Sequence, residues 1–142
     1  MQYRFTVPGD DFSKAGRAST ELKRVLTRLG LESSLVRRIA VAFYEAEINM
    51  IIHAGGGVAE AEIGVEDIVM TMRDEGPGIR DLELAMTEGY STAKDQWREL
   101  GFGAGMGLPN IKRNVDKLRI DSVPGGGTTV TMVVRFPARG AA

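Results

Sequence analysis

Glycine clusters divide this chain into short segments and so restrict the folds that it can adopt. Twelve of its 18 glycines fall in four groups, and the segments between the groups carry regular apolar periodicity. Glycines grouped in this way mark tight turns, or places where the backbone must approach another group closely. The second interpretation requires a bound ligand. The groups are Gly55 to Gly57, Gly76 with Gly78, every second residue from Gly101 to Gly107, and Gly125 to Gly127.

The periodicity between the glycines predicts an α+β fold. Alternating apolar and polar residues predict strands, and apolar residues three or four positions apart predict helices. Helices packed on one face of a mixed, mostly antiparallel sheet bury these apolar faces economically, which gives a two-layer α/β sandwich. The predicted strands cover residues 2–7, 59–66, 67–75, 119–123 and 128–136, and the predicted helices cover residues 12–30, 32–54, 81–89 and 108–118.

The length of 142 residues suits a single domain over residues 1–142. Residues 90–107 have no steady period, and a loop of this length is uncommon unless it is a lid or a binding loop. We therefore expect a lid at about residues 89–104.

The overall charge and composition exclude several classes of function. With 18 basic and 19 acidic residues, the chain lacks the positive field that drives binding to a nucleic-acid backbone. It has no cysteine, which excludes disulfides and thiolate metal sites. Its start resembles no signal peptide, and its apolar stretches are too short to cross a bilayer. We expect a soluble, cytoplasmic protein with neither nucleic acid nor membrane as partner.

Three polar residues, Glu45, Asn49 and His53, stand four positions apart in the otherwise apolar segment "EAEINMIIHAGGG". This spacing places them on nearly one face of a helix. A glutamate there can accept a proton from an attacking hydroxyl, and the asparagine oxygen suits a hard cation such as Mg²⁺. The alternative is a solvent-facing polar stripe with a satisfied histidine at its end. A zinc site is disfavoured because the segment lacks a second histidine.

The segment "DEGPGI" places Asp74 at the end of a predicted strand, followed by Gly76 and Gly78. These glycines allow the turn to approach a flat ligand while the carboxylate accepts a hydrogen bond from an amino group such as that of adenine. A plain Asp/Gly turn is the alternative.

Two further glycine-rich segments precede a helix and a strand. "GFGAGMGL" matches neither the Walker A pattern nor G-x-G-x-x-G, yet a glycine loop leading into a helix N-terminus can cradle phosphates. It could instead be a hinge. "PGGGTTV" reads as a hairpin turn, after which Thr128 presents a hydroxyl.

These four segments, in this order, resemble the nucleotide-binding motifs of the GHKL ATPases, and above all those of the bacterial anti-sigma-factor and switch serine kinases. "YEAEINMIIHAGGG" resembles their E-x-x-x-N-x-x-x-H/Y motif and "DEGPGI" matches D-x-G-x-G-I. "EGYSTA" and "GFGAGMGLPNIKR" resemble the lid and second glycine motif of the switch kinases, while the lid length is closer to that of the anti-sigma factors. The resemblance covers nearly the whole chain and implies the Bergerat ATP-binding fold.

The resemblance also implies roles for individual residues. Glu45 would be the base that polarises the acceptor hydroxyl, Asn49 would hold Mg²⁺ against the ATP phosphates, and Asp74 would bind the adenine amino group. Thr128 would support Asp74 through its hydroxyl or a water, and His53 would lie near the phosphates. The remaining nucleotide-binding positions are Gly76, Gly78 and Ile79 at the base, Gly103, Gly105, Met106, Gly107 and Leu108 at the phosphates, and Lys94 with Arg98 in the lid.

The activity implied is that of a Mg·ATP-dependent serine/threonine protein kinase whose substrate is a STAS-type antagonist protein. A sigma factor or a PP2C-type phosphatase would be a further partner. The alternative is a binding module, an anti-sigma factor or phosphatase activator, in which nucleotide only sets conformation. A histidine-kinase fragment would need a phospho-accepting histidine, whereas His53 lies inside the nucleotide motif. The first strand and the apolar face of the first helix could form the interface of a homodimer, or they could pack into the core of a single chain.

Overall fold

Five strands form one sheet whose order is β1-β2-β3-β5-β4, and every neighbouring pair among them is antiparallel. The computed structural model describes residues 1–9, 12–76, 107–123 and 125–137. The predicted helix at 81–89 and the predicted lid at 89–104 lie outside these residues. The strands are β1 (Gln2–Pro8), β2 (Gly56–Ile63), β3 (Asp67–Asp74), β4 (Lys117–Val123) and β5 (Gly127–Arg135).

Three α-helices accompany the sheet in the described part of the chain: α1 (Arg17–Arg28), α2 (Ser33–Ala54) and α3 (Gly107–Asn114), with a short 3-10 helix at Phe12–Lys14. The longest, α2, packs on the other two helices and on four strands. Its C-terminal cap, Gly55, has a left-handed conformation with φ of 71° and donates its N–H to the Met50 carbonyl. The predicted α+β architecture is confirmed, and the described pairings are all antiparallel.

The core lies between the sheet and the helices. Ala61, Met70 and Met132 stand side by side in register on β2, β3 and β5, and all three are buried. Leu22 and Leu26 of α1 are also fully buried against this layer. These two residues of the apolar face of α1 are therefore used for packing within the chain, whereas Leu29 on the same face is exposed.

A carboxylate from α2 caps the beginning of α1. Glu47 is only 1% exposed, and its two oxygens accept hydrogen bonds from the backbone N–H groups of Gly16, Ala18 and Ser19 at 3.0, 3.3 and 3.2 Å. The first N–H groups of a helix have no partner within the helix, so an acceptor there is stabilising. Burial raises the pKa of Glu47, and these hydrogen bonds oppose the rise. α2 thus fixes where α1 starts.

Two helices are shorter than predicted. The first begins at Arg17, after the 3-10 turn, and not at residue 12. The last ends at Asn114, four residues before the predicted end, because Asp116 is recruited to the sheet: its N–H donates to the Val133 carbonyl and its carboxylate accepts from the Arg135 N–H. These hydrogen bonds to β5 end the helix, although the apolar spacing of the sequence would allow it to continue.

None of the described helices combines the length and the apolar character needed to span a membrane.

Candidate functional site

The candidate site lies where the second half of α2 meets the start of α3 and the adjoining ends of β3 and β5. The side chain of Asn49 contacts Gly107, Glu45 contacts Asn110, and the end of α2 at Ala54 contacts Gly76 after β3. The structure therefore brings together Glu45 and Asn49 of α2, the end of the second glycine motif at Gly107, and the turn after Asp74. All of them lie close to the C-terminal half of α2.

Asp74 is anchored by one of its two carboxylate oxygens. Its Oδ1 accepts the N–H of Gly76 at 2.9 Å and the N–H of Thr128 at 3.1 Å. The other oxygen, Oδ2, accepts no hydrogen bond from the described residues. Because the side chain is half-buried and held by two backbone donors, its carboxylate is a hydrogen-bond acceptor in a fixed position.

Thr128 supports Asp74 through its backbone N–H, whereas its hydroxyl lies 2.9 Å from the Ser122 hydroxyl on β4. The pairing follows from the register, in which Thr128 stands opposite Asp74 on one side and opposite Ser122 on the other. Sequence reasoning missed Ser122. The signal available was its position across the hairpin from Thr128.

Gly76 is required by packing at the end of α2. A Cβ added there would stand 2.6 Å from the Ala54 Cβ and 2.7 Å from its Cα, closer than side chains tolerate. The turn after Asp74 is thereby held against the helix that carries Glu45 and Asn49. Glycine at this position thus has a structural reason that is independent of the predicted approach of a ligand.

Asn49 faces the first residue of α3. A Cβ added to Gly107 would lie 2.9 Å from the Asn49 Oδ1 and 3.0 Å from its Nδ2. The first N–H groups of a helix are free and carry partial positive charge, so anionic groups are stabilised there. An amide oxygen beside a helix N-terminus suits a phosphate group together with a hard cation. Leu108, which follows, packs partly on the core.

Glu45 is half-buried and accepts a hydrogen bond from the Asn110 side chain, one turn into α3. Burial raises its pKa and the hydrogen bond from Asn110 opposes the rise. A carboxylate with a raised pKa is a stronger proton acceptor than an exposed one, as a general base requires. Sequence reasoning did not single out Asn110, which lies in the motif "GLPNIKR".

His53 is half-buried at the end of α2, and burial lowers its pKa. The imidazole is therefore neutral at neutral pH and adds no positive charge to the site. Among the described residues there is no group of three or more His, Asp or Glu side chains placed to hold a metal ion.

Of the other predicted site residues, Gly78, Ile79, Lys94, Arg98, Gly103, Gly105 and Met106 lie outside the described residues. A magnesium ion would find an oxygen donor of the kind it prefers in the side-chain amide of Asn49. Mg²⁺ is commonly held by one or two protein oxygens together with substrate phosphates, and a single amide oxygen fits that arrangement.

Comparison with known proteins places these features in context. A family model described as the histidine kinase-like ATPase domain matches residues 11–134. The serine/threonine-protein kinase RsbT of Bacillus subtilis is 31% identical over 119 residues, which cover 78% of this chain and 80% of RsbT. The anti-sigma F factor of Pasteuria penetrans is 35% identical over 101 residues, which cover 66% of this chain and 64% of that protein.

Solved structures share the fold at lower identity. The RsbU and RsbW domains of a Mycobacterium tuberculosis protein superpose with a TM-score of 0.64 at 20% identity, covering 100% of this chain and 35% of that one. The SiaB–SiaC complex from Pseudomonas aeruginosa gives a TM-score of 0.64 at 14% identity, covering 93% of this chain and 88% of that one. These likenesses establish the arrangement of helices and sheet.

Proposed function

Because the chain belongs to the histidine kinase-like ATPase domain family, we propose that it is a Mg·ATP-dependent serine/threonine protein kinase of the anti-sigma regulatory type. Its substrate would be a STAS-type antagonist protein. The family resemblance inferred from the motifs is confirmed, and relatives over most of the chain include a serine/threonine kinase and anti-sigma factors. The observation that carries the proposal is the convergence of Glu45 and Asn49 on α3, next to the Asp74 turn.

The adenine end of ATP would lie at Asp74. Its Oδ2 would accept a hydrogen bond from the exocyclic amino group, since Oδ1 is already committed to the N–H groups of Gly76 and Thr128. A charged acceptor in a half-buried position discriminates strongly in favour of an amino donor. This selects adenine over guanine, which presents a carbonyl at the corresponding ring position.

The phosphates would extend toward the N-terminus of α3 and Asn49. The free N–H groups of this helix would bind phosphate oxygens, and the Asn49 oxygen would hold Mg²⁺. The ion, when bound, neutralises charge on the phosphates; phosphoryl transfer otherwise depends mainly on positioning. Gly103 and Gly105, together with Lys94 and Arg98 of the lid, would complete this side of the site by family resemblance.

Glu45 would orient the acceptor hydroxyl and take its proton. A groove of about 800 Å³ between α1 and α2 leads to this carboxylate, and Tyr44, Lys23 and Arg37 are among its other lining residues. A hydroxyl on a protein segment lying in the groove could therefore reach Glu45, which supports a macromolecular substrate.

A second function is favoured by the anti-sigma F relatives. In that case the chain would be a binding module whose affinity for a sigma factor or a phosphatase depends on bound nucleotide. Phosphate transfer would not be needed. The SiaB–SiaC complex illustrates that a protein of this fold assembles with another protein.

The test is phosphate transfer from labelled ATP to STAS proteins encoded near this one, with Glu45→Gln as the deficient variant. Glu62→Gln, on the solvent face of the sheet, is the matched control because it removes an exposed carboxylate. A kinase should label the STAS protein on Ser or Thr, lose labelling in Glu45→Gln and keep it in Glu62→Gln. Partner capture that survives in Glu45→Gln, with no labelling by the wild type, would instead support the binding module.

A further inference from the structure

We propose that the groove between α1 and α2 is the docking site for an acidic segment of the protein substrate, and that Lys23 and Arg37 bind its carboxylates. The inference rests on the proposed function, because it specifies the chemistry of the segment whose hydroxyl reaches Glu45. Lys23 and Arg37 both lie outside the four nucleotide-binding motifs.

The groove follows α2 from its beginning to the proposed base. Its lining extends from Ser33 and Ser34, at the start of the helix, to Glu45. Twelve positions separate Ser33 from Glu45, which corresponds to about 18 Å along a helix. An extended peptide covers that distance with about five or six residues. A short protein segment therefore fits along the groove with its hydroxyl at the Glu45 end.

The walls of the groove offer apolar contacts to such a segment. Leu31, Ala40 and Val41 line the groove and are only half-buried. Covering partly exposed apolar side chains is favourable, so apolar residues of a docked segment would add to its affinity. These side chains lie in a concave groove, which a flat membrane surface does not enter. The shape therefore favours a peptide over an anionic lipid surface.

Two cations stand on the walls of the groove. Lys23 on α1 and Arg37 on α2 are exposed, and neither forms an ion pair within the described part of the chain. Glu45 is the one described acidic residue that lines the groove. Complementary charge therefore favours carboxylates beside Lys23 and Arg37 and a neutral hydroxyl beside Glu45.

The surface around the groove is basic although the whole chain is not. Residues 12–44 carry seven basic and two acidic side chains, whereas the chain as a whole carries 18 basic and 19 acidic ones. The two acidic side chains are engaged locally: Glu21 pairs with Arg24 at 2.7 Å, and Glu32 accepts the Ser34 hydroxyl at 2.7 Å. This local excess of positive charge would attract an acidic segment and speed its encounter with the groove.

The positions of Arg37 and Glu45 set the spacing expected in the substrate. They are eight residues apart on α2, which is about 12 Å along the helix. An extended segment covers this distance in about four residues. We therefore expect acidic residues about four positions away from the serine or threonine that accepts the phosphate.

Fluorescence anisotropy, measured without nucleotide, tests the docking directly. The probes are two fluorescein-labelled octapeptides in which a pair of aspartates stands about four positions before or after a serine, with leucines between them. Asparagine and lysine versions serve for comparison. One of the aspartate peptides should bind the wild type about tenfold more tightly than its asparagine version. High salt should reduce this preference, because it screens exposed charges.

Reversing both cations should reverse the preference. The double variant Lys23→Glu/Arg37→Glu should lose the preference for aspartate and bind the lysine peptide instead, which a merely misfolded protein would not do. Arg4→Glu/Lys117→Glu is the matched control, since it reverses two exposed cations on β1 and β4 and changes the net charge equally. This control should bind the peptides as the wild type does.

Equal binding of the aspartate and asparagine peptides to the wild type would overturn the proposal, as would an equal loss of the aspartate peptide in both double variants. Binding to phosphatidylserine vesicles that requires Lys23 and Arg37, with no peptide bound, would assign the groove to a membrane and overturn it too. Peptide binding without phosphate transfer would contradict only the kinase function. Labelling of a STAS protein with an unchanged KM in Lys23→Glu/Arg37→Glu would contradict only the docking site.

Discussion

The Asn49 amide stands so close to the first residue of α3 that a methyl group on Gly107 would lie 2.9 Å from its oxygen. Gly107→Ala should therefore displace the amide, and the flexible side chain can move without disturbing the backbone. Alanine also favours helix, so we expect unchanged or slightly higher stability but about tenfold weaker Mg·ATP binding. Isothermal titration calorimetry and urea unfolding measure the two effects.

Gly64→Ala is the matched control, since a Cβ there would meet only ordinary contacts of 3.5 Å or more. Equal nucleotide affinity in Gly107→Ala and Gly64→Ala would contradict a role for Asn49 at the phosphates.

Asp74→Asn replaces a charged acceptor by a group that can turn its NH₂ toward the ligand. The loss of a hydrogen bond to a charged group corresponds to roughly 10- to 100-fold in affinity, so ATP binding should weaken by that factor while discrimination against GTP falls. Competition with a fluorescent ATP analogue measures both. Asp67→Asn, at the opposite end of β3, should change neither; a similar loss in both variants would mean that β3 itself is disturbed.

Glu47→Ala should destabilise the fold without touching the nucleotide. It removes the acceptor for three backbone N–H groups at the buried start of α1, which should lower the free energy of unfolding by about 2–4 kcal/mol. Urea unfolding monitored by circular dichroism gives this value. A loss below about 0.5 kcal/mol, the range of ordinary surface substitutions, would show that water replaces the carboxylate.

The same carboxylate should make stability depend on pH. Its folded-state pKa lies above the ordinary value of 4.5, so between these two pKa values the folded protein keeps a proton that the unfolded chain has lost. The contribution of this group is therefore fully present below pH 4.5 and declines as pH rises through the folded-state pKa.

Glu47→Gln lacks this titration. The unfolding free energy of the wild type minus that of Glu47→Gln should fall as the pH rises above 4.5 toward the raised folded-state pKa. The subtraction leaves out Glu45, whose pKa is also raised, and His53, whose lowered pKa acts in the opposite direction. A difference that grows with pH would contradict the raised pKa.

Much of the site could be predicted because its residues lie at fixed spacings along single elements. Glu45 and Asn49 are one turn apart on α2, and Asp74 ends a strand two residues before a glycine. Such relationships depend on local geometry alone. They required no knowledge of which elements pack together.

The residues that were missed depend on tertiary packing. Glu47 is two positions from Glu45 and therefore points to another side of α2, toward the start of α1. The periodicity predicted that start five residues too early, at residue 12. Asn110 gains its role only when α3 docks on α2, and Ser122 only when β4 pairs with β5. The early end of α3 has the same origin, since Asp116 is held by β5.

The placement of Asp74 on β3 and of Gly107 on α3 gives the two ends of the site unequal resistance to local unfolding. β3 is the middle strand, hydrogen-bonded on both sides, whereas α3 has only eight residues, a length that is unstable in isolation. α3 should therefore open at a lower free energy than β3. A bound nucleotide would then lose its phosphate contacts first, while the contacts to its base remain. The opening of α3, which hydrogen exchange measures, would limit the rate of nucleotide release.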